Sequence, residues 1–457
     1  MRSVIRARSL FSLFDGRIAI PLGVASWLCF AAVSPCPAED VNRSSSPAAA
    51  LQTHPRKSPK IILIGVDGLA PDYLERWSRQ GRLPCLSRLM KNGSYYKTNV
   101  DIGIGFSPAI WTSILTGQRP EKHGITIDSF KDIPSGARQS KALWNIFGDF
   151  GLRVASVGHL VTWPAEHVNG VMLSRHYLQE TVPGRLYPEE LSAPITKYLS
   201  DRQSEVEGVF YRFRRYLQPS GKKQPEGDPV RAVYEKEKGT DIETLRAVLR
   251  DDTNNYLTSV FLLRDNDYDF FTVYFGGCDQ VAHRFLRYEN PEDYIPAPDA
   301  AAYGKVLLDY YRLIDGWIES LLRFAGPDTM IVVCSDHGLR KKYPMTEARL
   351  GQGKVPGSHD LTGVFIVSGP DVKKGYYSRA DILDIAPTLL YKMGLSIAAD
   401  LDGRVLSDCF ENNYRFTHPV VLTDTYGPPV HQPCDFPVKN LASEGELQKL
   451  KALGYLK

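Results

Sequence analysis

The run Lys60-Ile-Ile-Leu-Ile-Gly-Val66 carries no polar side chain after its first residue, and it ends on Asp67. A strand with one solvated face alternates apolar and polar residues. A strand apolar on both faces must be covered on both, as in the centre of a parallel sheet. Helices packed on the two faces supply that cover, so the chain is constrained to an α/β architecture. The rest of the sequence agrees. A strand is predicted near Arg153–Val157, and Tyr268–Phe275, Thr329–Cys334 and Gly363–Ser368 are further β-rich runs. Helical patterns at about 70–91, 140–150, 302–324 and 381–393 alternate with them.

One stretch breaks the alternation. Residues 186–266 hold no strong strand, are rich in Arg, Lys, Glu and Tyr, and contain a Pro/Gly/Lys break at 219–228. They read as a mainly helical insertion, either a cap over the sheet or a solvated excursion. This divides the chain into segments 1–38, 39–58, a first catalytic part 59–185, the insertion, and a second catalytic part 267–457. Tyr211, Phe213 and Tyr216 in the insertion could stack on an aryl group, but their spacing also suits helix packing.

Segment 1–38 looks like an export signal. Arg2, Arg6, Arg8 and Arg17 precede the short apolar run Ile18–Val33, and small residues lead to a cleavage point after Ala38. The alternative is an uncleaved membrane anchor. Residues 39–58, rich in Ser, Ala and Pro, read as a linker. The formal net charge of the chain is +3, and the four Arg and one Asp of segment 1–38 account for all of it. The remainder is neutral, so no general attraction to nucleic acid is expected. No later apolar run approaches the roughly 18 residues of a membrane span. Seven scattered cysteines do not make a disulfide framework. Five follow residue 38, an odd number, and a Cys409–Cys434 pair is left open. The sequence does not fix the oligomeric state.

In open parallel sheets, ligands bind beyond the carboxyl ends of the strands. Asp67 follows the first strand directly. Asp279 follows Phe275 and a Gly-Gly pair, and His283 lies one helical turn further on. Asp336 and His337 follow the strand ending at Cys334, and His359 sits in a Gly-rich loop, G-S-H-D. Each residue alone has a plainer reading, such as a helix N-cap or an ordinary polar contact. Together, three Asp and three His supply the oxygen and nitrogen ligands of two Zn²⁺ ions, with Mn²⁺ as the alternative occupant. Such a pair serves phosphoryl transfer.

That chemistry needs a nucleophile. Ser107, in G-F-S-P-A-I-W-T-S-I-L-T-G, would open a helix whose first turn contains Pro108. A helix N-terminus favours an approaching phosphate. Ser107 also reads as a plain N-cap. Thr112 and Ser113 are competing hydroxyls inside the helix.

These residues resemble the alkaline phosphatase superfamily, and within it the type I phosphodiesterase and nucleotide pyrophosphatase family. The resemblance rests on I-I-L-I-G-V-D-G-L-A-P-D, S-P-A-I-W-T-S-I-L-T-G-Q-R-P-E-K-H-G-I, D-Q-V-A-H-R-F, V-V-C-S-D-H-G-L, G-S-H-D-L-T-G-V-F-I-V-S-G-P and D-I-A-P-T-L-L. It covers about 60–185 and 268–457, and the terminal E-L-Q-K-L-K-A-L-G-Y-L also looks like the tail of many members. The resemblance implies a mostly parallel sheet sandwiched by helices. It implies one zinc on Asp67, Ser107, Asp336 and His337, and the other on Asp279, His283 and His359. Ser107 aligns with the nucleophile, which implies a phosphoserine intermediate and a small phosphate ester as substrate.

One departure concerns specificity. The family places an Asn three residues after the nucleophile, where this chain has Ile110, so a donor to a phosphodiester is expected to be missing. A phosphomonoesterase or phosphonate hydrolase on the same metals is the second reading. A catalytically silent binding protein on the hydrolase fold is the reading from another class. The sulfatase signature C/S-x-P-x-R is absent. His123 matches the family but reads as structural, as do His159, His167, His176 and the buried Cys278.

Overall fold

The computed structural model describes residues 60–103, 106–126, 133–218, 229–289, 291, 295–341, 357–431 and 436. Segment 1–38, read above as an export signal, residues 39–58, read as a linker, Cys434 and the C-terminal motif lie outside them. Among the described residues, no helix is long and apolar enough to cross a membrane.

Eleven strands are used below: β1 (Ile61–Val66), β2 (Ser94–Asn99), β3 (Val154–Val157), β4 (Gly170–Leu173), β5 (Leu186–Tyr187), β6 (Phe270–Phe275), β7 (Met330–Cys334), β8 (Gly338–Lys341), β9 (Gly357–Asp360), β10 (Thr362–Ser368) and β11 (Tyr376–Asp381). Nine of them form one sheet in the order β11-β2-β10-β7-β1-β6-β3-β4-β5. Only β10 and β5 run against their neighbours. The expected mostly parallel α/β sheet is therefore what the chain builds, and β1 is at its centre.

The helices among the described residues are α1 (Pro71–Arg79), α2 (Pro84–Asn92), α3 (Ser107–Thr116), α4 (Pro120–His123), α5 (Leu143–Asp149), α6 (Ser192–Ser200), α7 (Gln203–Phe213), α8 (Pro229–Asp265), α9 (Gly277–Glu289), α10 (Ala297–Tyr303) and α11 (Val306–Leu321), followed by Ile385–Lys392 and Asn412–Thr417. The pattern expected at 70–91 is two helices, because Gly81 at φ +67° and Pro84 end one and restart the other.

Strand β1 shows why every one of its side chains is apolar. Ile62, Ile64 and Val66 enter a core with Leu74 of α1, Leu86 of α2, Val281 of α9 and Ile314 of α11. Ile61 and Leu63 enter the opposite core with Ile114 of α3, Phe147 of α5 and Leu389. Each such side chain contributes about 1.5–3 kcal/mol by leaving water.

The 186–266 stretch is mainly helical. Val209 and Phe213 of α7, Tyr216, and Leu245, Val248 and Leu249 of α8 belong to the same core as β1. These helices thus form part of the layer on that face of the sheet. Phe213 and Tyr216 are buried there, which makes them packing residues, while Tyr211 is exposed beneath Arg214. Cys409 is a buried free thiol among the described residues, as are Cys85, Cys278 and Cys334, while the other member of the Cys409–Cys434 pair left open above lies outside them.

Candidate metal centre

Three adjacent parallel strands, β7, β1 and β6, end at one edge in matched register: Ile64 faces Val273 on one side and Val333 on the other. Asp67 leaves the middle strand, Asp336 and His337 leave β7, and α9 begins after β6 with Asp279 and His283. His359 departs from the sequence expectation of a loop. It lies on β9, which pairs antiparallel with β8 so that His359 sits opposite Leu339. The hairpin folds His359 back over His337, and their rings stack with centroids 3.6 Å apart.

All six groups converge. His337 Nε2 lies 3.3 Å from Asp67 Oδ1, 3.3 Å from Asp336 Oδ2 and 3.8 Å from Asp279 Oδ1. Asp279 Oδ1 is 3.1 Å from His283 Nε2 and 3.5 Å from His359 Nε2, and those two nitrogens are 3.0 Å apart. Two groups therefore meet metal-site geometry, Asp67–Asp336–His337 and Asp279–His337–His359, with His283 beside the second. His337 Nδ1 donates to Gly338 O at 3.0 Å, which leaves Nε2 of the neutral ring as a ligand atom aimed inward.

The loops carrying these groups are tied together. Gly68 N–H donates to Asp336 Oδ1 at 3.2 Å, and Ser335 Oγ donates to Leu69 O at 3.0 Å. Gly68 has φ +69°, and a Cβ there would stand 2.8 Å from Asp279 Cα. Only glycine allows the turn after Asp67 to approach α9 this closely.

The donor set fits cations. Asp67 Oδ1, Asp279 Oδ1 and Asp336 Oδ2 are buried and receive no hydrogen bond. A buried carboxylate oxygen without a donor is costly unless a positive charge meets it. Burial and the nearby Asp67 charge push Asp336 well above the usual carboxylate range. His337 is raised to about 10: burial opposes this, but Asp336, Asp67 and Asp279 surround the ring. Against burial, His283 and then His359 hold Asp279 well below the usual range. Three carboxylates in one pocket place a demand for positive charge on the imidazoles around them, a demand that bound cations would also meet.

Residues 61–342 match the sequence pattern of type I phosphodiesterases and nucleotide pyrophosphatases. The chain belongs to that family. A 96-residue stretch, 21% of the chain, is 32% identical to human ectonucleotide pyrophosphatase/phosphodiesterase family member 1 and spans 10% of that protein's length. Human ectonucleotide pyrophosphatase/phosphodiesterase 5 superposes with a TM-score of 0.45 at 12% identity, over 77% of this chain and all of that one. Phosphonoacetate hydrolase from Sinorhizobium meliloti superposes at 0.37 with 18% identity, over 63% of this chain and 58% of that one.

In this member of the family, Ser107 is the first residue of α3, half-buried, with Oγ 3.4 Å from His337 Nε2. Both competing hydroxyls are engaged elsewhere. Thr112 Oγ1 donates to Pro108 O at 2.7 Å. Ser113 Oγ is 2.9 Å from His123 Nε2, whose Nδ1 accepts from Ile125 N–H at 3.1 Å. His123 is thus fixed between α3 and α4. His159 bonds Thr272 Oγ1 at 2.7 Å, His167 stacks on Tyr187, and His176 packs edge-on against Trp163. None of these four joins the cluster. Ile110 packs in the core with Trp111 and Ile114, so position 110 carries packing here rather than a hydrogen bond to a ligand.

Sequence reading missed the partners of Asp67. Its Oδ2 accepts from Tyr274 Oη at 2.5 Å and from Trp111 Nε1 at 3.2 Å. These two donors turn Oδ1 toward the cluster. The available signal was a polar-tipped aromatic at a fully buried strand position, since a buried Tyr hydroxyl needs a partner.

Proposed function

We propose that the protein is an exported, metal-dependent phosphoesterase of the phosphodiesterase and nucleotide pyrophosphatase type, working through a phosphoserine at Ser107. The observation that carries this reading is the juxtaposition of two things at one sheet edge. Three buried carboxylate oxygens receive no hydrogen bond, and a serine hydroxyl at a helix N-terminus stands 3.4 Å from their shared imidazole.

Asp67, Asp336, His337 and Ser107 would hold one zinc ion, and Asp279, His283 and His359 the other. Bound there, the ions would neutralise phosphoryl charge and lower the pKa of the hydroxyl and of water. The chain supplies the remainder. Ser107 sits at the N-terminal end of α3, where the positive end of the helix dipole favours the phosphoryl oxygens. Deprotonated Ser107 Oγ forms a bond to phosphorus as the ester P–O bond opposite breaks, and the leaving oxygen takes a proton from water. A water molecule then adds to phosphorus, the P–Oγ bond breaks, and Ser107 regains a proton. His337, braced by Gly338 O, keeps its ring oriented beside Oγ throughout.

The test is Ser107→Ala with a bis(aryl) phosphate. Turnover should vanish while metal content stays at the wild-type level. Activity that survives the substitution, or a rate indifferent to chelation, would overturn the reading. A panel of phosphomonoesters, diesters, nucleotides and phosphonates then assigns the substrate class. Export rests on the pattern of segment 1–38, and a mature N-terminus at Glu39 is its check.

A further inference from the structure

Helix α9 carries both Asp279 and His283, so the place where α9 starts decides where two ligands stand. The first N–H groups of a helix have no partner within it. Here the acceptor comes from the insertion. Asp252 of α8 is buried, and its Oδ1 accepts from Gly276 N–H at 3.1 Å while its Oδ2 accepts from Gly277 N–H at 3.0 Å. Tyr310 of α11 donates its hydroxyl to the same Oδ2 at 2.7 Å. Three helices from separate parts of the chain thus meet on one carboxylate. The fit is close: a Cβ on Gly277 would lie 1.8 Å from Tyr310 Oη and 2.6 Å from Asp252 Oδ2. The negative end also suits the helix dipole.

We propose that Asp252 is a positioning residue for the half-site of Asp279, His283 and His359, fixing the start of α9 and with it the direction of two ligands. This rests on the reading of that cluster as a metal site. Asp252 makes no hydrogen bond to the loops that carry Asp67, Asp336 and His337, so its effect falls on one half-site. The insertion, which carries no sequence motif, then has a defined task beneath the metal centre.

The experiment uses full-length protein stripped of metal and titrated with Zn²⁺, with bound metal counted per chain. Co²⁺ absorption follows ligand geometry independently of turnover. Asp252→Ala should weaken one of the two binding steps by about 10- to 100-fold, the range typical of lost outer partners, and leave the other unchanged. Asp252→Asn, which keeps an acceptor for Gly277 N–H and Tyr310, should fall between. Should Asp252→Ala not fold, Tyr310→Phe keeps the carboxylate and removes one donor, and it should weaken the same step more mildly. Two unchanged binding steps in these variants, or equal losses at both, would sink the proposal. A wild-type chain that binds no metal would instead sink the functional reading beneath it.

Discussion

Tyr274→Phe is the substitution that isolates one bond at the candidate metal centre. It deletes a single oxygen from a buried ring whose T-shaped contact with Trp111 is kept. The hydroxyl donates to Asp67 Oδ2 at 2.5 Å, and burial followed by the charge of Asp67 holds its pKa well above the usual 10. It therefore stays a donor at every working pH. A hydrogen bond to a charged acceptor contributes about 1.5–3 kcal/mol. Without it, Trp111 Nε1 at 3.2 Å is the remaining donor to Oδ2, and the carboxylate is free to rotate away from His337. Since about 1.4 kcal/mol is a factor of ten in binding, metal affinity at the Asp67–Asp336–His337 half-site should drop about 10- to 100-fold. Competition with a chromophoric chelator measures that directly, and circular dichroism checks that the fold is kept. The reasoning fails if Tyr274→Phe binds both ions as the wild type does, or if the weakened step is the one that Asp252→Ala weakens.

Gly68→Ala should disturb both half-sites together, because its Cβ would press on Asp279 Cα at 2.8 Å while straining a φ of +69°. A stability loss of about 1–3 kcal/mol in thermal unfolding, with two weakened binding steps, is expected. Thr112→Ala removes only the bond to Pro108 O and should keep turnover, and an inactive Thr112→Ala with active Ser107→Ala would make Thr112 the nucleophile. His123 is pushed down to about 4 by burial and then by Arg138, so the unfolded chain binds its proton more readily. Its contribution is present above about pH 6.5 and is lost as pH falls through about 4, on the order of 3 kcal/mol in all. His123→Gln should flatten that acid-side fall in unfolding temperature.

Different parts of this molecule were legible in the sequence to different degrees, and the physical cause differs in each case. Strands β1, β6 and β7 declare themselves because burial on both faces leaves them almost wholly apolar, with Thr272 and Tyr274 of β6 as partnered exceptions, and the acids at their ends then stand out. Strand β2, S-Y-Y-K-T-N, pairs between β10 and β11 near the sheet's edge, so it tolerates Lys97 and Asn99 and gives no such signal. His359 was assigned to a loop because four residues, G-S-H-D, are too few to show a period. The β8–β9 register that seats it opposite Leu339 is a pairing across the chain, not a local preference. Ile110 shows the reverse limit. The sequence showed that the family's donor is missing at this motif position, and only the packing around α3 shows what replaces it, a core contact. Asp252 and Tyr274 were invisible for a further reason: each would act on a candidate ligand from a distant part of the chain, 27 residues before Asp279 in one case and 207 after Asp67 in the other. What a local sequence pattern records is the ligand. The group that aims the ligand is specified only once the strands and helices have met, so such groups must be sought among buried polar atoms whose partners are already ligands.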